Sequence, residues 1–281
     1  MNLRLLVTTA DDVGLHPALT DGALRAHDDG IVTAVAVAAN GSALDAAIPA
    51  LLARPELDVG AHLVLVGERP LSPPSEIPSL VGRDGLLLPG FVAFALRALA
   101  GGIDPADLRR ELGRQVERLL ERGLTLRHLN SHQHLHALPI VAGVVIELAL
   151  RHGISWIRVP SERHPGGLSL RALEMRVLER LSRRFRRQVS GTRLRATART
   201  IGIASAGRFA PTVVGPAADS AVDSAVESVE LVVHPGTDDA ALARHYGWGY
   251  TWESELAHLR SSALRERLSQ LRIEPARFRD L

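Results

Sequence analysis

Carboxylates and imidazoles gather at four points of this chain, each at or near the end of an apolar run. Asp11 and Asp12 follow the run Leu3–Thr9, His62 sits in VGAHLVL, His132, His134 and His136 alternate in NSHQHLH, and His234 closes VELVVH before Pro-Gly. Two adjacent carboxylates repel each other, and a divalent cation held by one would relieve that, leaving the other to accept a proton. The plainer alternative is a helix cap, because Asp is favoured at N-caps and Pro17 suits a first helical position. A neutral His62 among apolar neighbours needs partners for its ring nitrogens, either a metal or a backbone carbonyl. Histidines at alternate positions share a face in an extended segment. A chain turning into a helix at Pro139 cannot keep all three there, and solvated loop histidines are the alternative. His234, presented by a Pro-Gly turn, is a candidate general acid because imidazole titrates near neutrality.

Weaker signals surround these groups. Arg158 ends a strand-like stretch and could contact a carboxylate, phosphate or sugar oxygen of a substrate; an ordinary surface arginine is the alternative. Tyr246, Trp248, Tyr250 and Trp252 alternate after a polar loop. Such rings can line a sugar site or cover a core. The Arg171–Arg199 segment is strongly basic. A solvated helix face is the favoured reading, with peripheral contact to an anionic membrane as the sharper one. Its one aromatic, Phe185, gives little support for base stacking, so no nucleic-acid partner is expected.

The chemistry requires elements that deliver all four points to one end of a fold. The pattern predicts strands at Leu3–Thr9, Ile31–Ala39, Leu57–Leu65, Arg127–Ser131, Ser155–Val159, Thr200–Ala204 and Glu230–His234, and a last short strand or tail at Arg272–Arg277. Helices are predicted after Pro17, over Ser42–Arg54 with Ser42 as cap, and over Asp104–Arg122, Leu138–His152, Ser169–Gln188, Ala217–Ser228 and Trp252–Leu271. Gly67–Pro89 carries five prolines and is too long for a passive turn, so it reads as a functional loop. Strand–helix alternation implies parallel strands with helices outside. A closed or nearly closed, TIM-like (β/α) barrel forming a single α/β domain over residues 1–281 fits best, with 160–228 as an arginine-rich insertion. An open doubly wound sheet is second. In either fold, active sites form at the carboxyl ends of the strands.

Composition narrows the classes. The 281 residues are 46% hydrophobic and 23% charged, a globular balance. There is no cysteine, so disulfides, thiolate zinc sites and cysteine nucleophiles are excluded. All 33 basic residues are arginine, which points to a GC-rich bacterial coding bias. The net charge of +2 argues against a polyelectrolyte binder. The opening MNLRLLVTTADD is too short an apolar run for a signal peptide, and no 18-residue apolar stretch occurs, so a cytoplasmic protein is expected.

Taken in order, TADDVGLHPAL, HDDGIVTAVAVAANG, VGAHLVLVGERPLSPPSEIPSLV and RHLNSHQHLHALP, then VVHPG and the Tyr-Trp-Glu region, resemble the blocks of the YdjC-like carbohydrate deacetylases. The resemblance covers roughly Leu3–Pro160 and Glu230–Arg272. It implies an irregular (β/α) barrel and a metal-dependent enzyme that removes the N-acetyl group from an N-acetylglucosamine-containing sugar or glycolipid, of chito-oligosaccharide or hopanoid-linked type. It implies one divalent ion, zinc or magnesium, on Asp12, His62 and His132. It implies Asp11 as general base, and His234 is carried over as general acid. A homodimer is an option. Two departures stand out: Val13 replaces the usual phenylalanine, and Asn130 replaces the aspartate often found before Ser-His. Competing readings are a metal-dependent hydrolase of another bond, such as a phosphoester, and a non-catalytic sugar- or lipid-binding scaffold.

Overall fold

The computed structural model describes residues 4–162, 170–210 and 228–281. In chain order the elements are β1 (Arg4–Val13), α1 (Pro17–Asp28), β2 (Ala34–Val37), α2 (Leu44–Leu52), β3 (Asp58–Leu63), α3 (Phe91–Leu99), α4 (Pro105–Glu121), β4 (Leu126–Ser131), α5 (Pro139–Arg151), β5 (Trp156–Ile157), α6 (Leu170–Ser190), β6 (Arg199–Ile201), β7 (Ser228–Val233), α7 (Asp239–His245), α8 (Trp252–Leu259), α9 (Ser262–Gln270) and β8 (Ile273–Pro275).

All strand pairings are parallel, in the order β5-β4-β3-β2-β1-β7-β6. β1 is the hinge of the sheet. β7 follows one edge from Leu5 to Ala10, while β8 and then β2 share the other, at Arg4–Leu6 and Thr9–Val13. Every residue of β2 and β3 is buried, as expected for parallel strands covered on both faces. The sheet curls into a half-barrel. Its two ends approach each other at Arg195, whose carbonyl accepts from the Ile157 N–H and whose N–H donates to Ser155. Among the described residues the ladder does not run on as a strand pair from β5 to β6, so a fully closed barrel is not what the pairing gives.

Several local expectations change. Ser42 does not cap α2; its hydroxyl donates to the Leu15 carbonyl, and the cap position is Ala43. The predicted Trp252–Leu271 helix is two helices, because Ser261 takes an extended conformation and caps α9 by accepting from the Leu264 N–H. The Gly67–Pro89 loop folds back on itself through bridges at Val66–Leu88 and Val81–Leu87. The buried carboxylate of Glu111 on α4 anchors it by accepting from the N–H groups of Leu71 and Ser72. α6 buries Met175, Ser182, Phe185 and Val189 and leaves Arg176, Arg180, Arg183, Arg184 and Arg187 exposed. Most of the predicted Ala217–Ser228 helix lies outside the described residues. Among the described residues no helix is long and apolar enough to cross a membrane.

The amino-terminal end of the sheet is plugged by packed rings and one buried ion pair. His128 of β4 lies directly over Gly60, where an added Cβ would meet its ring at 2.4 Å. It stacks on Phe278 with centroids 4.4 Å apart, and Arg279 beside that ring donates to buried Asp58. Neither ring nitrogen of His128 has a hydrogen-bond partner. Burial, reinforced by the charge of Arg158, pushes its pKa from 6.5 down to about 3. On acidification the unfolded chain therefore takes up this proton first. The proton-linked part of its burial cost vanishes above about pH 6.5 and weakens the fold progressively as pH falls towards 3. His128→Leu is expected to flatten the acid limb between pH 6 and pH 4, where this residue removes roughly 1 kcal/mol per pH unit from the wild type. Urea unfolding at stepped pH measures it, and parallel curves for the two proteins would refute the assignment.

Candidate active site

Successive residues of a flat strand face opposite sides, so Asp11 and Asp12 should diverge. They do not, because β1 is bulged there. Its register with β2 slips between Ala10 and Val13, and Asp12 adopts a left-handed φ of 64°. Both carboxylates end up buried at the carboxyl end of the sheet. Neither caps α1, whose N-cap is His16, with Nδ1 accepting from the Ala18 N–H.

Asp12 meets two imidazoles. Its Oδ1 lies 3.0 Å from His62 Nε2 and 2.9 Å from His132 Nδ1, and those two nitrogens are 3.5 Å apart. Donor atoms on one tetrahedral zinc are about 3.3 Å apart, given zinc–ligand bonds of about 2.0–2.1 Å. Asp12, His62 and His132 therefore form a possible metal-binding site. The Asp12 carboxyl is raised by burial but held well below its ordinary pKa by the facing histidines. His62 Nδ1 points the other way, 2.7 Å from the Asn130 side-chain oxygen.

The three alternate histidines part company. The chain leaves the extended conformation after Ser131, and Gln133 and His134 take left-handed φ values of 51° and 55°. His132 stays at the cluster. His136 turns inward as a structural residue: Nδ1 pairs with the Ser131 hydroxyl at 2.6 Å and Nε2 with the Arg158 carbonyl at 3.0 Å. Burial and the Arg158 charge lower its pKa to about 3.

Arg158 was expected to touch substrate, and the geometry redirects it. Its side chain is fully enclosed and donates to Asp11 through two nitrogens and to Glu230 through Nε and Nη2. Asp11 also accepts from Asn130 Nδ2 at 3.0 Å. Burial raises the Asp11 carboxyl, but the Arg158 charge and the charges of His62 and His234 bring it well below the ordinary carboxylate range. Asp11 is an obligate anion at working pH. Sequence reasoning missed Glu230, although a lone acid inside VELVV signals a buried cation partner.

His234 follows β7. Its N–H donates to buried Glu255 at 2.6 Å, and its Nδ1 is buried without a hydrogen-bond partner. The Pro-Gly turn after it packs so closely on α1 that a Cβ at Gly22 would lie 2.5 Å from Gly236. The alternating aromatics stand beside these groups. Trp248 is 5.2 Å from His132 and stacks on Tyr246 at 4.1 Å, and Tyr250 is 5.3 Å from His234. Trp252 is buried in the core.

Arg158 is the shared cation of two buried carboxylates, so removing it strands both. Arg158→Met is expected to cost about 3–5 kcal/mol in urea unfolding, and Glu230→Gln in that background to recover part of the loss. A loss under about 1 kcal/mol would mean the carboxylates find water instead.

With the geometry in view, comparison with known proteins is direct. The family profile described as YdjC-like protein matches residues 5–270. A human carbohydrate deacetylase is 32% identical over 98% of this chain and 90% of its own length. One from Oceanobacillus iheyensis is 37% identical over 50% of this chain, an alignment that spans 58% of that protein. The structure of an Enterococcus faecalis protein described as a cellobiose-phosphate cleavage protein superposes with a TM-score of 0.79 at 22% identity, covering 99% of this chain and 98% of that one, a likeness of fold. The chain thus belongs to the YdjC-like family.

Proposed function

We propose that this chain is a metal-dependent N-deacetylase acting on an N-acetylglucosamine-containing sugar or glycolipid. The observation that carries the reading is the convergence of Asp12, His62 and His132, with Asp11 and His234 beside them. The likeness, over 98% of this chain, to a human protein named carbohydrate deacetylase supports removal of an acetyl group from a carbohydrate. The aromatic wall of Tyr246, Trp248 and Tyr250 supports a pyranose, whose C–H faces pack on rings.

Two imidazoles and one carboxylate suit zinc better than magnesium, which favours oxygen donors. Bound there, the ion supplies Lewis acidity that makes water more acidic and steadies negative charge on an acyl oxygen. Asp11, ionised at every working pH, accepts the proton of the attacking water. His234, at the carboxyl end of β7, delivers a proton to the leaving amine. Arg158 and Asn130 hold the Asp11 carboxylate in place.

The test is acetate release from a panel of N-acetylglucosamine compounds, with phosphate release from sugar phosphates assayed in parallel. Chelation is expected to abolish acetate release and zinc to restore it. Asp12→Ala is expected to lose the metal. Asp11→Asn should keep the metal and lose about 100- to 10,000-fold in kcat. Near-normal turnover by Asp11→Asn would remove Asp11 as base. Phosphate release without acetate release would move the reading to phosphoester hydrolysis.

A further inference from the structure

We propose that Asn130 is a positioning residue that sets both the metal-binding tautomer of His62 and the aim of Asp11. The inference rests on the deacetylase reading for the role of Asp11, but its His62 half stands on geometry alone. Asn130 is fully buried at the end of β4 and bridges the two residues, with Nδ2 3.0 Å from Asp11 Oδ1 and Oδ1 2.7 Å from His62 Nδ1.

The direction of each bond follows by elimination. Asp11, ionised against Arg158, can only accept, so the amide end that faces it is the NH2. The end that faces His62 is then the carbonyl, which also only accepts. His62 Nδ1 must therefore carry a hydrogen. That leaves Nε2, the atom 3.0 Å from Asp12 and 3.5 Å from His132 Nδ1, as the ring nitrogen able to bind a metal. The ionised carboxylate thus selects, through one amide, which nitrogen of a metal ligand is free to bind. A partner of this kind raises ligand basicity and fixes ring orientation. Among the described residues no other side chain bonds to His62 Nδ1, and no other neutral side chain to Asp11.

The two halves separate by substitution. Asn130→Leu keeps the volume and removes both bonds. Asn130→Asp keeps an acceptor for His62 but takes the donor from Asp11, leaving two carboxylates 3.0 Å apart. In this chain, exchanging the amide for the acid that relatives often carry is not conservative.

The experiment measures zinc affinity by competition with a chromogenic chelator, without substrate, alongside thermal unfolding. The expected result is a loss of about 10- to 100-fold for Asn130→Leu and an affinity within a few-fold of wild type for Asn130→Asp. In turnover, Asn130→Asp is expected to lose at least about tenfold in kcat with little change in KM, a split that a general weakening of the fold would not produce. Nitrogen-15 NMR of the zinc-loaded wild type is expected to show His62 protonated at Nδ1, an arm that needs no variant. A His62 with its hydrogen on Nε2, or wild-type zinc affinity in folded Asn130→Leu, overturns the tautomer half. Wild-type kcat in Asn130→Asp overturns the Asp11 half. Should wild type release no acetate from any compound, the deacetylase reading falls, while the affinity and NMR arms still decide what Asn130 does to His62.

Discussion

The guanidinium of Arg158 lies between Asp11 and Glu230 with no access to water, and the shape of the sheet follows from that contact. Arg158 directly follows β5, whereas Glu230 is on β7, five places along the strand order. In a flat sheet with about 4.8 Å between strands they would be roughly 24 Å apart. Their separation is 2.7 Å, so the interior closes on the ion cluster. A buried arginine costs several kcal/mol to desolvate and is tolerated only where its donors are met. Here Asp11 and Glu230 meet them, Thr9 adds a hydroxyl to Glu230, and His136 ties down the Arg158 carbonyl. The histidine motif therefore serves two ends. His132 supplies a possible metal donor, and His136 holds the backbone that carries the counter-ion of Asp11.

The bulge in β1 is the second constraint. A left-handed backbone at a non-glycine residue costs about 1–2 kcal/mol, and such strain persists only where surrounding contacts determine it. At Asp12 those contacts are two histidines from two other strands' ends. The slip in register gives one segment two carboxylates on the same side of the sheet, which a regular strand cannot do.

Much of the site was legible because polar residues inside or just after apolar runs need partners, and in a parallel sheet those run ends lie together. That marks Asp11, Asp12, His62, the three alternate histidines and His234 as candidates, and the resemblance of the blocks around them is what selects Asp12, His62 and His132 as the metal set. What escaped depends on partners far away in sequence. Nothing near Arg158 says whether it faces substrate or Glu230, 72 positions on. Ser42 looks like a cap until the Leu15 carbonyl competes for its hydroxyl. The helix break at Ser261 left a local trace: the leucine spacing from 259 to 264 is one step too long for a single helical stripe. α3 left none that periodicity could separate from the loop before it. It exposes Val92, Leu96 and Leu99 instead of burying an apolar stripe.

The two neighbouring carboxylates end in different circumstances, and the difference comes from what faces each. Asp12 faces two imidazoles whose nitrogens converge with its own oxygen, an arrangement that a cation would complete. Asp11 faces a permanent cation and an amide, which hold it ionised and fully oriented before any substrate arrives. A carboxylate so well stabilised is a weak base in isolation. In the proposed reaction it would serve as a proton acceptor only for water already made more acidic, which is what a divalent ion held beside it would contribute. Weak basicity at Asp11 and metal-donor geometry at Asp12 are thus complementary, and the bulge that joins them is where the fold and the proposed chemistry meet.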